Sequence, residues 1–246
     1  MRFALQWLRS FLFVFQIYFM MPIFGLLFAP WAIFSKHGAR ACCKSYSRWV
    51  FWTARFMVGI RCEVRGTPPT GEVLIAAKHQ SFLDIMMIFT ALPTAKFIMK
   101  KEILRTPVIG QYAKLLDCVA VDRGKRGAAI DKMVADVKAG NQEAGQLIIY
   151  SQGTRVAPGV KADYKVGTGV LYEQLGQTCV PVATNVGVLW PRTGIMRKPG
   201  VAVVEFLDPI DAGIDRKDFM EILESRVEAK SNELMRELGF DPDAVS

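Results

Sequence analysis

The chain has 246 residues, enough for one α/β domain with an appendage, and 51% of them are hydrophobic. Lysine and arginine number 31 against 23 acidic residues, a formal net charge of +8. No zinc-finger spacing, RNA-binding aromatic signature or long Lys/Arg run accompanies that surplus, so no nucleic-acid partner is expected; beside an apolar segment, the charge points to an anionic membrane surface or a lipid phosphate.

The apolar excess is concentrated at the start. From Ser10 to Ser35 there is no charged residue, and such a stretch would span about 39 Å as a straight helix, against a hydrocarbon core of about 30 Å. Pro22, Gly25 and Pro30 count against a straight span, because a proline removes a backbone donor and crowds the preceding turn. Basic residues flank the run on both sides, Arg2 and Arg9 before it and Arg40, Lys44, Arg48 and Arg55 after it. Those that follow interleave with Trp49, Trp52 and Phe56, the composition of an interfacial helix with rings at headgroup depth. A re-entrant hairpin on the cytoplasmic face of the inner or plasma membrane is therefore expected over a single span.

Residues 1–62 thus read as a membrane-associating helical segment and 63–246 as one α/β domain. The expected strands are Val73–Ala77, Lys96–Met99, Cys118–Val121, Gln146–Tyr150, Cys179–Thr184 and Val201–Phe206. A helical stripe occupies residues 125–140, and the tail from Asp215 to Leu238 repeats the helical period through Phe219, Leu223, Val227 and Leu234. This alternation implies α/β architecture: a mixed, mostly parallel sheet flanked by helices, behind the membrane-associated segment. Five cysteines (Cys42, Cys43, Cys62, Cys118 and Cys179) without a C-x-x-C pair support neither a zinc site nor a disulfide framework.

The chain has two histidines, His37 and His79, and the second lies in AAKHQSFLDI after a strand. His79 and Asp84 would stand about 140° apart on a continuous helix. If His79 instead occupies the turn before the helix, Asp84 in the first turn can reach back to it. Ser81 and Asp84 also match a capping box, in which the carboxylate serves only the helix start; the spacing alone leaves both readings open. Two further polar clusters follow strands: SQGTR, Ser151–Arg155, with a glycine for tight geometry and a planar arginine fork suited to phosphate, and DRGKR, with Arg123, Lys125 and Arg126. Strand ends of α/β sheets gather such clusters into one crevice.

Four blocks in fixed order over residues 73–190 resemble the PlsC-type glycerolipid acyltransferases. KHQSFLD matches the family's His-x4-Asp motif, LLDCVAVDR its second block ending in arginine, YSQGTR the F-P-E-G-T-R block, and CVPVATN the V-P-V/I strand end. Gln152 replaces the usual glutamate, Ser151 the proline and Lys78 the common asparagine, and the second block lacks its aromatic residue. The resemblance implies His79 and Asp84 as catalytic residues and Arg123, Gln152, Gly153, Thr154 and Arg155 as substrate-binding, with Lys101, Lys125 and Lys165 as looser candidates. It implies a fatty acyl donor, acyl-CoA or acyl-acyl carrier protein, a lysophospholipid acceptor, and no metal or other cofactor. The implied product is phosphatidic acid, from 1-acylglycerol-3-phosphate acylated at its free sn-2 hydroxyl. The Gln152 departure leaves room for another lysolipid, such as lyso-ornithine lipid, or for a catalytically silent lipid-binding protein at the membrane surface.

Overall fold

The computed structural model describes residues 2–121 and 144–245, together with Asp131 and Ala135. Helix α1, Arg2–Phe34, is uninterrupted, with Pro22 and Pro30 inside it. The expected break within the apolar run is therefore corrected: the chain reverses only at Ser35, whose side chain accepts from the His37 N–H and starts α2, Lys36–Met57. Five residues before each proline, a carbonyl of α1 takes a side-chain donor: Ile17 from Tyr46 at 2.9 Å and Gly25 from Tyr112 at 2.8 Å. Those bonds and the packing against α2 hold the helix through both prolines, whose rings remove the helical donors of the neighbouring Tyr18 and Leu26 carbonyls. Bonds from Arg9 to Met57, Gln16 to Thr53 and Cys42 to Phe24 run the two helices antiparallel.

Strands β1 (Ile60–Arg65), β2 (Val73–Ala77), β3 (Ala95–Lys100), β4 (Val119–Val121), β5 (Gln146–Tyr150), β6 (Cys179–Thr184) and β7 (Gly200–Phe206) form one sheet in the order β1-β7-β6-β2-β5-β3-β4. Every pairing is parallel except β6 with β7. Six strands lie where the sequence pattern puts them. β1 was not expected, although Ile60, Cys62 and Val64 alternate strictly with Arg61, Glu63 and Arg65, a charged composition that suits its place at the sheet edge. It also straddles the 62/63 boundary drawn from the sequence.

The central strand β2 shows why its run is wholly apolar. Ile75 and Ala77 point into the core shared with α1 and α2, whereas Leu74 and Ala76 point into the core on the other face. The first face also carries α3 (Phe82–Ala91) and α4 (Ile109–Leu115); the second carries α5 (Gly167–Leu175) and α7 (Arg216–Arg236). On α3, Leu83, Met87 and Ile88 are almost wholly buried, each burial contributing about 1.5–3 kcal/mol. The short helix α6, Val186–Leu189, follows β6. The expected helix at 125–140 lies almost entirely outside the described residues.

Parallel pairing brings the ends of β2, β3, β4 and β5 to one edge of the sheet, where Lys78–Ser81, Lys101 and Ser151–Arg155 emerge together.

Candidate active site

Strand alternation sends consecutive residues after β2 to opposite faces. Lys78 turns toward α7, where its buried ammonium pairs with Glu228, whose other oxygen accepts from Tyr164 at 3.0 Å. His79 turns toward α3. The turn between them is fixed by Gln80, wholly buried, whose side-chain oxygen accepts from the Gly187 N–H at 3.0 Å. A Cβ on Gly187 would lie 2.8 Å from the Gln80 Cβ, so only glycine permits this approach. From the far side, the Val156 N–H donates to the His79 carbonyl at 2.8 Å.

Asp84 lies in the first turn of α3 and is wholly buried. Its Oδ2 accepts from the backbone N–H groups of Gln80 at 2.8 Å and Ser81 at 2.7 Å. Its Oδ1 lies 2.8 Å from His79 Nδ1. The two readings of the His-x4-Asp spacing are thus both realised in one carboxylate, one oxygen capping the helix and the other holding the imidazole. A carboxylate accepts only, so Nδ1 carries the proton and Nε2 the free lone pair, the tautomer a general base requires. The position at a helix N-terminus and the converging donors offset the cost of burying the charge.

The structure adds one residue that the sequence reading missed. Tyr150, the last residue of β5, donates its hydroxyl to Asp84 Oδ1 at 3.2 Å and stacks its ring on His79, with centroids 3.9 Å apart and planes at 18°. Burial and the neighbouring Asp84 push its phenol well above the ordinary tyrosine range, so it remains a donor. The available signal was the tyrosine itself, standing where the motif has phenylalanine.

The SQGTR loop begins at the next residue. Gly153 adopts φ 69° in the turn closed by its N–H on the Tyr150 carbonyl. Gln152 is buried and donates its amide nitrogen to the Ala162 carbonyl at 3.2 Å. Because that carbonyl can only accept, the amide orientation is fixed, and Oε1 has no partner among the described residues. Thr154 and Arg155 are half-buried, and the Arg155 guanidinium makes no ion pair among the described residues. The Arg155 carbonyl accepts from Arg192 at 3.3 Å. The loop carrying Arg192 continues to Ile195, which forms a shallow groove with Phe11, Phe15 and Phe19 of α1. Lys101 and Lys165 are exposed at this edge. Arg123 and Lys125 lie outside the described residues.

An apolar cavity of about 160 Å³ opens between α1, α2, α3, α4 and β3, lined by Phe24, Phe82, Met86, Phe89, Phe97 and Leu116 among others. It approaches the histidine through a row of rings, Phe97 lying 6.0 Å from Tyr150, which in turn stacks on His79. Asn185, in the CVPVATN block, lies away from this chemistry. Its side chain accepts from the Val203 N–H at 2.8 Å and donates to the Leu234 carbonyl at 3.1 Å, tying β6 to β7 and α7.

An imidazole held by a buried carboxylate at the carboxyl edge of a mostly parallel sheet is machinery for proton-assisted group transfer. The chain belongs to the acyltransferase family, whose family model matches residues 60–185, from the first residue of β1 to Asn185. It is 27% identical to the 1-acyl-sn-glycerol-3-phosphate acyltransferase of Pseudomonas aeruginosa over 84% of this chain and 81% of that protein. With the enzyme of the same name from Limnanthes alba it shares 26% identity over 63% of this chain and 57% of that longer protein. The crystal structure of the 1-acyl-sn-glycerophosphate (LPA) acyltransferase PlsC from Thermotoga maritima has the same fold, with a TM-score of 0.77 at 20% identity over 93% of this chain and 97% of that one.

Proposed function

We propose that this acyltransferase moves a fatty acyl group from a thioester carrier, acyl-CoA or acyl-acyl carrier protein, to the free sn-2 hydroxyl of 1-acylglycerol-3-phosphate, yielding phosphatidic acid. The single observation that carries the reading is the His79–Asp84 pair, which leaves Nε2 of the imidazole as a proton acceptor. The names of the relatives support the acceptor, and the apolar cavity near His79 suits a fatty chain.

In this mechanism His79 Nε2 takes the proton of the acceptor hydroxyl as its oxygen attacks the thioester carbonyl. The imidazolium is stabilised by Asp84. Collapse of the tetrahedral intermediate breaks the carbon–sulfur bond, and the departing thiolate takes the proton from His79, so ester and free thiol leave a regenerated base. Arg155, with Arg123, holds the acceptor phosphate; Gln152, Gly153 and Thr154 shape that end of the crevice.

The acceptor and product are lipids, and α1 suits such a surface. Leu26, Leu27, Ile33 and Phe34 are between 66 and 87% exposed, and the helix from Phe3 to Phe34 is long and apolar enough to cross a membrane. Because α2 turns back along α1 with Trp52 and Phe56 outward, the pair is proposed to lie in the cytoplasmic leaflet without crossing it. The groove joining Ile195 to α1 then keeps Arg155 near headgroup depth. A single cysteine introduced as Arg2→Cys in a cysteine-free background tests the topology. Protection from an impermeant maleimide until cells are opened is expected, and labelling of sealed cells from outside would show a true span.

The reaction is tested with purified protein and a matrix of acyl-CoA and acyl-acyl carrier protein against lysophosphatidate and lyso-ornithine lipid. His79-dependent phosphatidate formation is expected. Preference for lyso-ornithine lipid would reassign the acceptor, a reading that the uncharged Gln152 favours. Absence of thiol release with every donor and acceptor would leave a lipid-binding protein.

A further inference from the structure

Asp84 Oδ1 receives two side-chain donors, and Tyr150 supplies the second while its ring covers the imidazole. We propose that Tyr150 is a positioning residue of the base: its ring sets the plane of His79, and its hydroxyl shares the oxygen that orients Nδ1, moderating the pull of Asp84 on the imidazole proton.

The geometry separates these two roles. The ring lies 3.9 Å from the imidazole at 18°, a contact that restrains rotation about the terminal side-chain bond, where rotamer wells are broad. Backbone N–H groups fix only Oδ2, leaving Oδ1 to be shared between Nδ1 at 2.8 Å and the phenol at 3.2 Å. A carboxylate oxygen that already accepts one hydrogen bond attracts a second donor less strongly. The phenol therefore weakens the His79–Asp84 bond without breaking it. Phe97 extends the stack on the other side, with centroids 6.0 Å apart at 18°, so Tyr150 is held in place by packing. The hydroxyl stands where the motif carries phenylalanine, which means that a phenylalanine there offers the ring role and only a tyrosine, as in this chain, offers the hydroxyl role.

The inference rests on His79 being the base, and the test keeps the two apart. The chain has only two histidines, so His37→Gln with selective ¹⁵N-histidine labelling leaves a single imidazole to observe by NMR. In that background Tyr150→Phe keeps the ring and removes the hydroxyl. The His79 Nδ1–H resonance is expected to move downfield as its bond to Asp84 shortens, with kcat changed by less than about threefold and both KM values unchanged. Tyr150→Leu removes the ring, and kcat is expected to fall by about tenfold or more at unchanged KM, with the Nδ1–H signal broadened. An unmoved resonance in Tyr150→Phe would overturn the hydroxyl role. Full kcat in Tyr150→Leu would overturn the ring role. If His79→Ala retains turnover, the base assignment fails, while the NMR shift still reports on the Tyr150–Asp84–His79 contact.

Discussion

At one end of the crevice, four donors converge on a single buried carboxylate, and the imidazole it orients is stacked against a tyrosine ring. At the other end, Gln152 presents an acceptor with no partner among the described residues, and the Arg155 guanidinium makes no ion pair there. The carboxylate end is preorganised in the free protein, whereas the loop end leaves an acceptor and a guanidinium for the proposed substrate to meet. That division suits catalysis by a general base, whose geometry has to be set before the hydroxyl arrives. It also suits the proposed acceptor, whose phosphate oxygens would accept from Arg155 while a hydroxyl or other donor of the ligand meets Gln152 Oε1.

The largest effect is expected at the base. His79→Ala removes the proposed proton acceptor and is expected to lower kcat by about 10²–10⁴-fold, the usual contribution of general-base help. Steady-state turnover in detergent micelles checks this, with circular dichroism confirming that the fold persists.

A smaller effect should sharpen the contrast at the phosphate end. Arg155→Ala is expected to raise the acceptor KM by roughly 10- to 100-fold through loss of a charge-assisted hydrogen bond, with donor KM unchanged. Impaired donor kinetics with normal acceptor kinetics would instead place Arg155 against the thioester carrier.

The smallest effect on activity is expected on the opposite face of the same turn. Lys78→Met leaves Glu228 and Tyr164 without their cation and should cost about 2–4 kcal/mol in stability. It should change kcat by less than about threefold, because the Lys78 side chain points away from His79. Chemical denaturation and turnover, measured on one preparation, separate the two outcomes.

Much of this arrangement was legible in the sequence, because strand periodicity and strand-end polar clusters are local signals. Val73–Ala77, Gln146–Tyr150 and Cys179–Thr184 match in full, since apolar runs flanked by polar turns have few other uses. Edge strand β1 carried its signal too, Ile60, Cys62 and Val64 alternating with charges, but the run is short and directly follows the helical segment. The prolines of α1 misled because a tertiary contact, the Tyr46 and Tyr112 hydroxyls on α1 carbonyls, is invisible to local rules. The capping-box spacing was ambiguous for a physical reason: a carboxylate has two oxygens, and here each serves a different reading. Tyr150 was missed because its partner Asp84 is 66 residues away in sequence, a separation that only the parallel pairing of β2 with β5 closes.

The most direct test of the central claim, that Asp84 holds the base as well as capping α3, is Asp84→Asn measured for both kcat and thermal stability. An asparagine oxygen still accepts from the Gln80 and Ser81 N–H groups, but its amide nitrogen then faces Nδ1 and forces the opposite imidazole tautomer. The expected outcome is a folded protein whose melting temperature falls only slightly and whose kcat drops by about 10³-fold or more. Near-normal kcat in that folded variant would contradict it and leave Asp84 a helix cap alone.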